Sequence, residues 1–444
     1  MSRSGADEIR EGRPTRSLVV LGGADGAITT LETARRIGLH TICVDQRTDV
    51  PAIGHADEFL NVSTRDADRL TRLLADRADV AGVLSPASDV NLPTQRTLAE
   101  RLGLPCGVSK AALRASVDKG FFRAMCDRLG LPGPRHVQGS PGQVRAAAAG
   151  LPFPVIVKPT DSSGGRGITL CHAVGELAEA VRRAAAASPS GVVIAESYLA
   201  GTHHSAEAVV QDGRIVLFDL GSRVMTPPPH FVTLTHTMPG GSPAVADQVR
   251  AMLNRVCQDM AYRWGSLNVD VLVTPDDQVV LVELGARIGG NGSAELLGLA
   301  HGVDVTEVAV RMAVGERPPL APRHRAHAAF SALCAERAGK LVAIHGLAAA
   351  RALPHVIDVV LAASAGDHVE PYDRAGAKVG YVLVAAPDQT RLRATLDRVD
   401  ALVRLDIIDP AEATARPAEA TARPAQPTTD PARPRPGPGP ESAR

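Results

Sequence analysis

A lysine followed by a glycine-rich loop is the first feature of this sequence that could perform chemistry. Lys158 directly follows the apolar run Val155–Val157, and the polar segment 161–167 comes shortly after it. Glycines let backbone N–H groups approach a phosphate closely, and the lysine adds positive charge beside them. The order differs from a P-loop, because the lysine precedes the glycines. The pattern indicates phosphate binding, and the alternative is a flexible hairpin tip with a surface lysine.

Two acidic residues lie inside apolar segments that are typical of paired strands. Asp270 and Glu283 are near the facing ends of one predicted hairpin. A buried acidic residue is costly unless it is paired or bound to a cation, and two such residues on adjacent strands offer oxygen ligands for Mg²⁺. Arg287 follows closely, and metal ligands beside an arginine suit a phosphoryl group or an acyl phosphate. The alternative is two edge-strand carboxylates that face water.

A competing glycine motif lies near the N-terminus. Gly22, Gly23 and Gly26 follow a predicted strand, and Asp45 ends the next one. This arrangement is similar to a dinucleotide-binding fingerprint. The spacing is not G-x-G-x-x-G, so nicotinamide binding is disfavoured.

The elements that must position these residues change in type along the chain. From residue 17 to about 115, short apolar runs alternate with helix-like stretches, which predicts a doubly wound parallel sheet. After residue 116 the sequence predicts two antiparallel hairpins, within 206–220 and 267–284, and therefore an α+β domain.

The sequence pattern changes again after residue 320. Residues 321–409 contain short predicted strands and one helix-like stretch, 388–402. In residues 410–444 the heptapeptide Ala-Glu-Ala-Thr-Ala-Arg-Pro occurs twice and a Pro/Arg/Gly run follows. Such a segment has too little apolar surface to offset its ordering entropy, so we expect it to be disordered.

Composition excludes several classes of protein. Lys plus Arg and Asp plus Glu are 48 each, which argues against a generally basic nucleic-acid binder, and aromatic residues make up only 3%, too few for base-stacking platforms. Six cysteines without a Cys-x-x-Cys pair exclude a zinc ribbon or a dithiol redox motif. The polar N-terminus is neither a signal peptide nor an anchor, and no apolar run reaches the ~18 residues of a membrane helix. We expect a cytoplasmic protein without nucleic-acid or membrane partners.

Taken in order, these motifs resemble those of ATP-grasp carboxylate–amine ligases, and most closely L-amino-acid ligases (dipeptide synthetases). The resemblance covers about residues 18 to 408. It implies an ATP-grasp fold of α/β and α+β type: an N-terminal doubly wound parallel-sheet domain, central nucleotide-binding subdomains and a small C-terminal α+β domain. The expected limits are 1–16 for a flexible N-terminus, 17–115 for the pre-ATP-grasp domain, 116–320 for the ATP-grasp domain (divided into about 116–198 and 199–320), 321–409 for the C-terminal domain and 410–444 for the disordered tail.

The resemblance also implies roles for residues at matching positions. Lys119 and Lys158 would hold nucleotide phosphates, and 161–167 would be the mobile loop that covers them. Glu196 would accept a hydrogen bond from the adenine amino group. The expected nucleotide-binding residues are Lys119, Lys158, Ser162, Ser163, Gly164, Gly165, Gly167, Glu196, backbone at Ser197 and Leu199, and, for the ribose, His203 and His204, where many relatives have a glutamate.

The metal and reaction centre follows from the same resemblance. Asp270 and Glu283 would bind Mg²⁺, with Mn²⁺ as an alternative. Gly285 stands where the family pattern Glu-x-Asn-x-Arg has asparagine, so the third ligand is open between Asn268 and Asn291. The expected catalytic residues are Arg287 and Lys158. The segment 222–239 resembles a substrate-side loop of these ligases, and the candidate substrate contacts are Arg223, His236, Gly289, Gly290 and Asn291.

The activity that the resemblance implies is the ATP-dependent joining of a carboxylate to an amine. An acyl phosphate would form with release of ADP, and an amino-acid amine would displace phosphate. Two alternatives remain: the same ATP chemistry with bicarbonate or a non-amino-acid amine, and a nucleotide-binding protein without catalysis. The expected partners are small-molecule substrates, and a homodimer is compatible with the resemblance.

Overall fold

The structure is a computed structural model that describes residues 16–228 and 230–409. The expectations for residues 1–15 and for the tail 410–444 therefore lie outside the described residues. Within the described part, no helix has both the length and the apolar character that crossing a membrane requires.

The first part of the chain forms a parallel sheet with helices on its faces. The order of its strands is β3-β2-β1-β4, as the alternation of strands and helices predicts. Every residue of the first strand is buried, which explains its uninterrupted apolar sequence. The elements are β1 (Ser17–Leu21), α1 (Asp25–Arg36), β2 (His40–Asp45), β3 (Glu58–Asn61), α2 (Ala67–Leu74), β4 (Val80–Leu84) and α3 (Leu92–Leu102).

A second, smaller sheet follows and carries the predicted lysines. Its order is β5-β8-β6-β7, and its strands are antiparallel. Helices α6 and α7 pack on it around a core that includes Val144, Val157 and Val181. The elements are α4 (Lys110–Val117), α5 (Lys119–Arg128), β5 (His136–Gly139), α6 (Pro141–Ala148), β6 (Val155–Pro159), β7 (Thr169–Cys171), α7 (Leu177–Ala187) and β8 (Val193–Ser197).

The next strands and helices build most of a large antiparallel sheet. Both predicted hairpins are confirmed: β9 pairs with β10, and β12 pairs with β13. Helix α8 packs on one side of this sheet, while α9 and α10 pack on the other. The elements are β9 (Thr202–Gln211), β10 (Arg214–Met225), β11 (Thr233–Met238), α8 (Pro243–Asp259), β12 (Gly265–Val273), β13 (Val279–Gly285), α9 (Ser293–His301) and α10 (Val305–Ala313).

The last part extends this sheet. Strand β14 pairs with β11, so the sheet continues past residue 320, and its full order is β13-β12-β9-β10-β11-β14-β18-β16. The domain limit at residue 320 stays a prediction. A separate sheet has the order β17-β15-β19. The elements are β14 (His327–Leu333), β15 (Gly339–His345), α11 (Leu347–Arg351), β16 (Val356–Leu361), β17 (His368–Val369), β18 (Gly380–Ala386), α12 (Gln389–Leu402) and β19 (Arg404–Ile408).

Two sequence interpretations need correction. The segment 222–239 is not a single loop: β10 runs to Met225 and β11 begins at Thr233, so only 226–232 connects them. The prolines mark that turn, and the β-branched residues after it pair with both neighbouring strands. The C-terminal region also has a second helix, α11, whose five residues are too few for a periodic pattern.

Candidate active site

One cavity lies where the sheets meet, and most of the predicted site residues line it. Its volume is about 550 Å³. Its wall includes Asp89 from the first sheet's loops and Arg374 from the C-terminal region. The predicted residues on its wall are Lys119, Lys158, Ser163, Gly164, Gly165, Glu196, Ser197, Leu199, His203, His204, Arg223, Asn268, Asp270, Glu283, Arg287, Gly290 and Asn291.

Lys119 is placed by the start of α5. The Asp118 side chain caps this helix by accepting a hydrogen bond from Phe121 N at 3.0 Å, so Lys119 leaves the first turn towards the cavity. Its Nζ lies 3.0 Å from Glu283 Oε1 and donates to the Ser162 carbonyl oxygen at 2.7 Å. Burial lowers the pKa of Lys119, but the Glu283 carboxylate outweighs burial and the pKa lies above its usual value. The ammonium is therefore charged and held beside the glycine-rich loop.

Lys158 belongs to a buried ion-pair network of three residues. Its Nζ lies 2.6 Å from Glu196 Oε2, while Arg123 Nε donates to Glu196 Oε1 at 3.2 Å. Burial would raise the pKa of Glu196, but Lys158 and Arg123 overcome that effect and lower it to about 2. The lysine side chain is 9% exposed, so the alternative of a surface lysine at a hairpin tip does not describe this residue.

Asp270 and Glu283 lie directly opposite each other on β12 and β13. Burial would raise the pKa of Glu283, but Lys119, Lys158 and Arg287 lower it overall. Arg223 Nη1 lies 2.6 Å from Asp270 Oδ1. Each carboxylate thus has a cation beside it, so neither faces only water, although Glu283 lies on β13 at the edge of the sheet.

The donor set in this region fits a hard divalent cation. Asp270 and Glu283 supply carboxylate oxygens, the ligand type that Mg²⁺ prefers. Asn268 lies on the same wall, and its Nδ2 donates to Glu207 at 2.5 Å and to Ser205 at 3.1 Å, so its amide oxygen is left for a cation. Among residues 16–228 and 230–409, no three His, Cys, Asp or Glu side chains converge as a metal cluster. A bound ion would therefore need ligands from the substrate as well.

Arg287 is held by a residue that the sequence interpretation missed. Asp89 lies after β4, and its two oxygens accept from Arg287 Nε at 2.9 Å and from Nη2 at 2.6 Å. Such a bidentate pair fixes the guanidinium plane. Burial lowers the pKa of Arg287, but the Asp89 contacts raise it overall. The arginine is thus charged and oriented before any substrate arrives.

Four predicted residues do not line the cavity. His236 is fully buried beside Gly221, so a direct substrate contact is not available to it. Gly289 packs against the Glu207 carboxylate, and Gly167 packs against α7. Ser162 is set back from the wall, although its carbonyl oxygen fixes Lys119.

The sequence interpretation also missed residues of the cavity wall. Arg123 follows Lys119 by one helical turn, and this spacing could have revealed it. Phe231 has a φ of 50°, unusual for a bulky residue, and its ring lies 5.8 Å from that of His203. No local pattern marks Asp89 or Arg374, because tertiary structure alone brings their loops to the cavity.

Two family models match the central and C-terminal parts of the chain. Residues 118–320 match the family described as "Carbamoyl-phosphate synthase L chain, ATP binding domain". Residues 331–407 match the family described as "L-amino acid ligase C-terminal domain 2". The two matches cover the segments that supply the lysines, the carboxylates and Arg374.

Curated relatives and solved structures extend the likeness over most of the chain. The uncharacterized protein y4rH of Sinorhizobium fredii is 28% identical over 386 residues, which is 83% of this chain and 78% of that protein. Carnosine synthase 1 of Gallus gallus is 28% identical over 369 residues, 74% of this chain but only 39% of that protein. The L-amino acid ligase of Bacillus licheniformis superposes with a TM-score of 0.76, covering 90% of this chain and 100% of that one at 18% identity. The expected fold is confirmed, and the chain belongs to the ATP-grasp carboxylate–amine ligase family.

Proposed function

We propose that this protein uses ATP to join two amino-acid-like substrates through an amide bond. One substrate's carboxylate attacks the γ-phosphate of ATP, which forms an acyl phosphate and releases ADP. The other substrate's amine then attacks the acyl carbon and expels phosphate. The observation that carries the proposal is that Lys119, Lys158, Asp270, Glu283 and Arg287 line one cavity. The match of residues 331–407 to an L-amino acid ligase domain supports amino-acid substrates.

The two lysines are placed to bind the phosphates of ATP. Each ammonium is held by a carboxylate, Lys119 by Glu283 and Lys158 by Glu196, so neither must be ordered when the nucleotide arrives. Mg²⁺ would be held by Asp270 and Glu283, with the Asn268 oxygen beside them, and it supplies charge neutralisation to the phosphate oxygens when bound. When Glu283 takes part in that site, Lys119 is free to pair with phosphate instead.

Arg287 is placed to stabilise charge on the reacting acyl group. Asp89 holds its Nε and Nη2 atoms, and Nη1 donates to the Ile288 carbonyl oxygen at 3.0 Å. Negative charge grows on the acyl oxygen when the amine attacks. A guanidinium that is already oriented needs no reorganisation to stabilise this oxyanion.

The acyl phosphate must be kept from water, and two loops are placed to do this. The glycine-rich loop 161–167 and the connection 226–232 meet over the cavity: a Cβ atom on Gly165 would lie 3.7 Å from the His230 backbone oxygen. Gly164, Gly165 and Gly167 all have φ between 68° and 75°. Closure of these loops over bound nucleotide would exclude water from the reaction.

An ADP-release assay with pooled amino acids, followed by mass spectrometry of the products, tests the proposal. We expect ADP formation that depends on amino acids and a product with the mass of two of them joined with loss of water. ADP release that instead requires bicarbonate or a non-amino-acid amine would replace this function with the first alternative. Tight ATP binding without turnover under all conditions would favour a nucleotide-binding protein without catalysis.

A matched pair of variants on one hairpin links this activity to the cavity. Glu283→Gln should lower the rate of ADP formation by at least ~10²-fold, because metal-ion charge stabilisation is worth several kcal/mol. Asp276 lies in the turn between β12 and β13, where it accepts from Thr274 Oγ1 at 2.6 Å, so Asp276→Asn should turn over normally. Normal turnover by folded Glu283→Gln would remove this residue from the metal site.

A further inference from the structure

Glu207 is a buried carboxylate beside the candidate metal site that the roles above do not use. It lies on β9, is 3% exposed and does not line the cavity. Its Oε1 atom accepts hydrogen bonds from Ser205 Oγ at 2.7 Å and from Asn268 Nδ2 at 2.5 Å. Both donors are neutral side chains, although burial of a carboxylate is costly. The contact with Asn268, which does line the cavity, indicates what this buried group does.

The sheet places Glu207 in line with the metal carboxylates. Strand β12 lies between β9 and β13, and directly paired residues of antiparallel neighbours lie on the same face of a sheet. Side chains two residues apart on one strand also share a face. Two rows of three residues therefore cross these strands on one face: Glu207, Asn268 and Gly285 in the first row, and Ser205, Asp270 and Glu283 in the second.

Only the middle position of the first row can offer a side-chain oxygen to the cavity. A Cβ atom on Gly285 would lie 2.7 Å from Asp89 Oδ1, so the Asp89 side chain fills the space at one end of the row. At the other end Glu207 is covered by backbone, because a Cβ atom on Gly289 would lie 2.7 Å from its Oε2. Asn268 is therefore the residue of this row that is placed to supplement the two metal carboxylates.

The orientation of the Asn268 amide decides whether it can bind a cation. An asparagine can present its oxygen or its NH₂ group, and only the oxygen is a ligand for a hard cation. Nδ2 also donates to Ser205 Oγ at 3.1 Å, and among the residues that the structure describes no group donates to Oδ1. Reversing the amide would set Oδ1 against Glu207 Oε1, and two buried acceptors would face each other without a proton between them. The carboxylate thus keeps the amide oxygen available to the cavity.

We propose that Glu207 is a positioning residue for the metal ion: together with Ser205 it holds the Asn268 amide so that Oδ1 is the third protein ligand beside Asp270 and Glu283. This inference rests on the proposed ATP-dependent function. It adds to that function a residue that acts through Asn268 and touches neither metal nor nucleotide.

Binding of Mn²⁺ in the presence of ADP, measured by electron paramagnetic resonance, tests the assignment without turnover. Glu207→Met should bind Mn²⁺ roughly 10-fold or more weakly than wild type, the usual effect of losing a group that orients a metal ligand. Glu207→Gln keeps an oxygen that accepts from Ser205 and Asn268, so it should stay near wild type. Binding of ADP in EDTA should be equal in all three proteins, whereas a damaged fold would weaken it.

A double-variant cycle shows whether Glu207 acts through Asn268. Asn268→Ala should weaken Mn²⁺ binding at least as much as Glu207→Met does. The double variant should bind no more weakly than Asn268→Ala alone, because both changes remove the same ligand. Asp219→Leu is the matched control: Asp219 is a buried carboxylate directly opposite Glu207 on β10 and pairs with His301 at 2.9 Å. Its Mn²⁺ affinity should equal that of wild type.

Three results would overturn the assignment: wild-type Mn²⁺ affinity in folded Glu207→Met or in Asn268→Ala, additive losses in the double variant, or an equal loss in Asp219→Leu. If Glu207→Met does not fold, Ser205→Ala replaces it in the same cycle with the same expectations, because it removes the hydroxyl that contacts both groups. Absence of ADP binding to wild type would instead overturn the proposed function itself.

Discussion

At the scale of single residues, the cavity is a set of charges that neutralise one another. Lys119 pairs with Glu283, Arg223 with Asp270, and Arg287 with Asp89. Buried charges without partners cost several kcal/mol each, so these pairs stabilise the charged residues of the cavity wall. Under the proposed function, a nucleotide with its metal would bring charge of both signs, so each pair could exchange partners without leaving a charge unpaired.

Substitutions in the Arg287–Asp89 pair can separate its proposed effect on the reaction from its effect on stability. Arg287→Ala should slow amide formation by at least ~10²-fold, by analogy with removal of one oxyanion donor. It should also lower the free energy of unfolding by about 3 kcal/mol or more, because Asp89 stays buried without its partner. Denaturant unfolding and turnover measure the two effects.

The double variant Arg287→Ala/Asp89→Asn provides the control. It should recover most of the lost stability, because the unpaired charge is gone, while turnover stays low. Recovery of turnover together with stability would mean that Arg287 acts only through the fold.

The lowered pKa of Glu196 predicts how the stability of the fold depends on pH. Its pKa is lowered from 4.5 to about 2, because Lys158 and Arg123 outweigh the effect of burial. A carboxyl whose folded pKa lies below its unfolded pKa stabilises the fold above the unfolded pKa, and this contribution is lost as pH falls through the folded pKa. Wild type should therefore exceed Glu196→Gln in free energy of unfolding at pH 6, and the difference should shrink between about pH 5 and pH 2. A difference that is constant with pH in urea titrations would contradict the pairing.

At the scale of elements, helix and strand ends aim the side chains. Helix α5 begins at Lys119, and the paired strands β12 and β13 set Asp270 opposite Glu283. A shift of one residue in this pairing would move the two carboxylates to different faces. The N-terminal cap of α5 and the register of the hairpin therefore decide whether Lys119 meets Glu283 and Asp270.

The cap of α5 offers a test at this scale. Asp118→Ala removes the acceptor of Phe121 N and should cost about 1 kcal/mol of stability. The first turn would fray and Lys119 would lose its position, so KM for ATP should rise while kcat changes less. Asp118→Asn keeps an acceptor and should stay near wild type in both. An unchanged KM for ATP in Asp118→Ala would show that the cap does not position Lys119.

At the scale of the whole molecule, the cavity is assembled from distant parts of the chain. Asp89 comes from the first sheet's loops and Arg374 from the C-terminal region. The Tyr372 hydroxyl donates to the Thr233 carbonyl oxygen at 3.0 Å, and Lys378 Nζ lies 3.1 Å from Asp25. These contacts join the C-terminal region to β11 of the large sheet and to α1. The cavity therefore forms only when the first sheet, the large sheet and the C-terminal region are folded together.

Among the residues that the structure describes, those that line the cavity lie within 87–375. A chain that ends at Asp409 should therefore keep wild-type kcat and KM and the same thermal midpoint. Steady-state kinetics of the shortened and the full chain measure this. A large loss of activity would mean that residues 410–444 contribute to the site.

Local patterns in the sequence were sufficient for the elements and for most of the charged groups. The hairpins 206–220 and 267–284 follow from alternation and turn residues, and Asp270 and Glu283 stand out because acidic residues are rare inside apolar strands. The interpretation of 222–239 as one loop was partly wrong. Its prolines indicate a turn, but the residues on either side belong to β10 and β11, and β11 also pairs with β14, which is far away in sequence.

Tertiary structure alone decided which groups meet. Asp89 holds Arg287 across 198 residues of sequence, and Arg123 shares Glu196 with Lys158 across 73. His236 has a residue type that suggests a substrate contact, but packing buries it beside Gly221. Local sequence carries propensity and hydrophobic period, whereas long-range ion pairs depend on how separate sheets pack, which no short segment encodes.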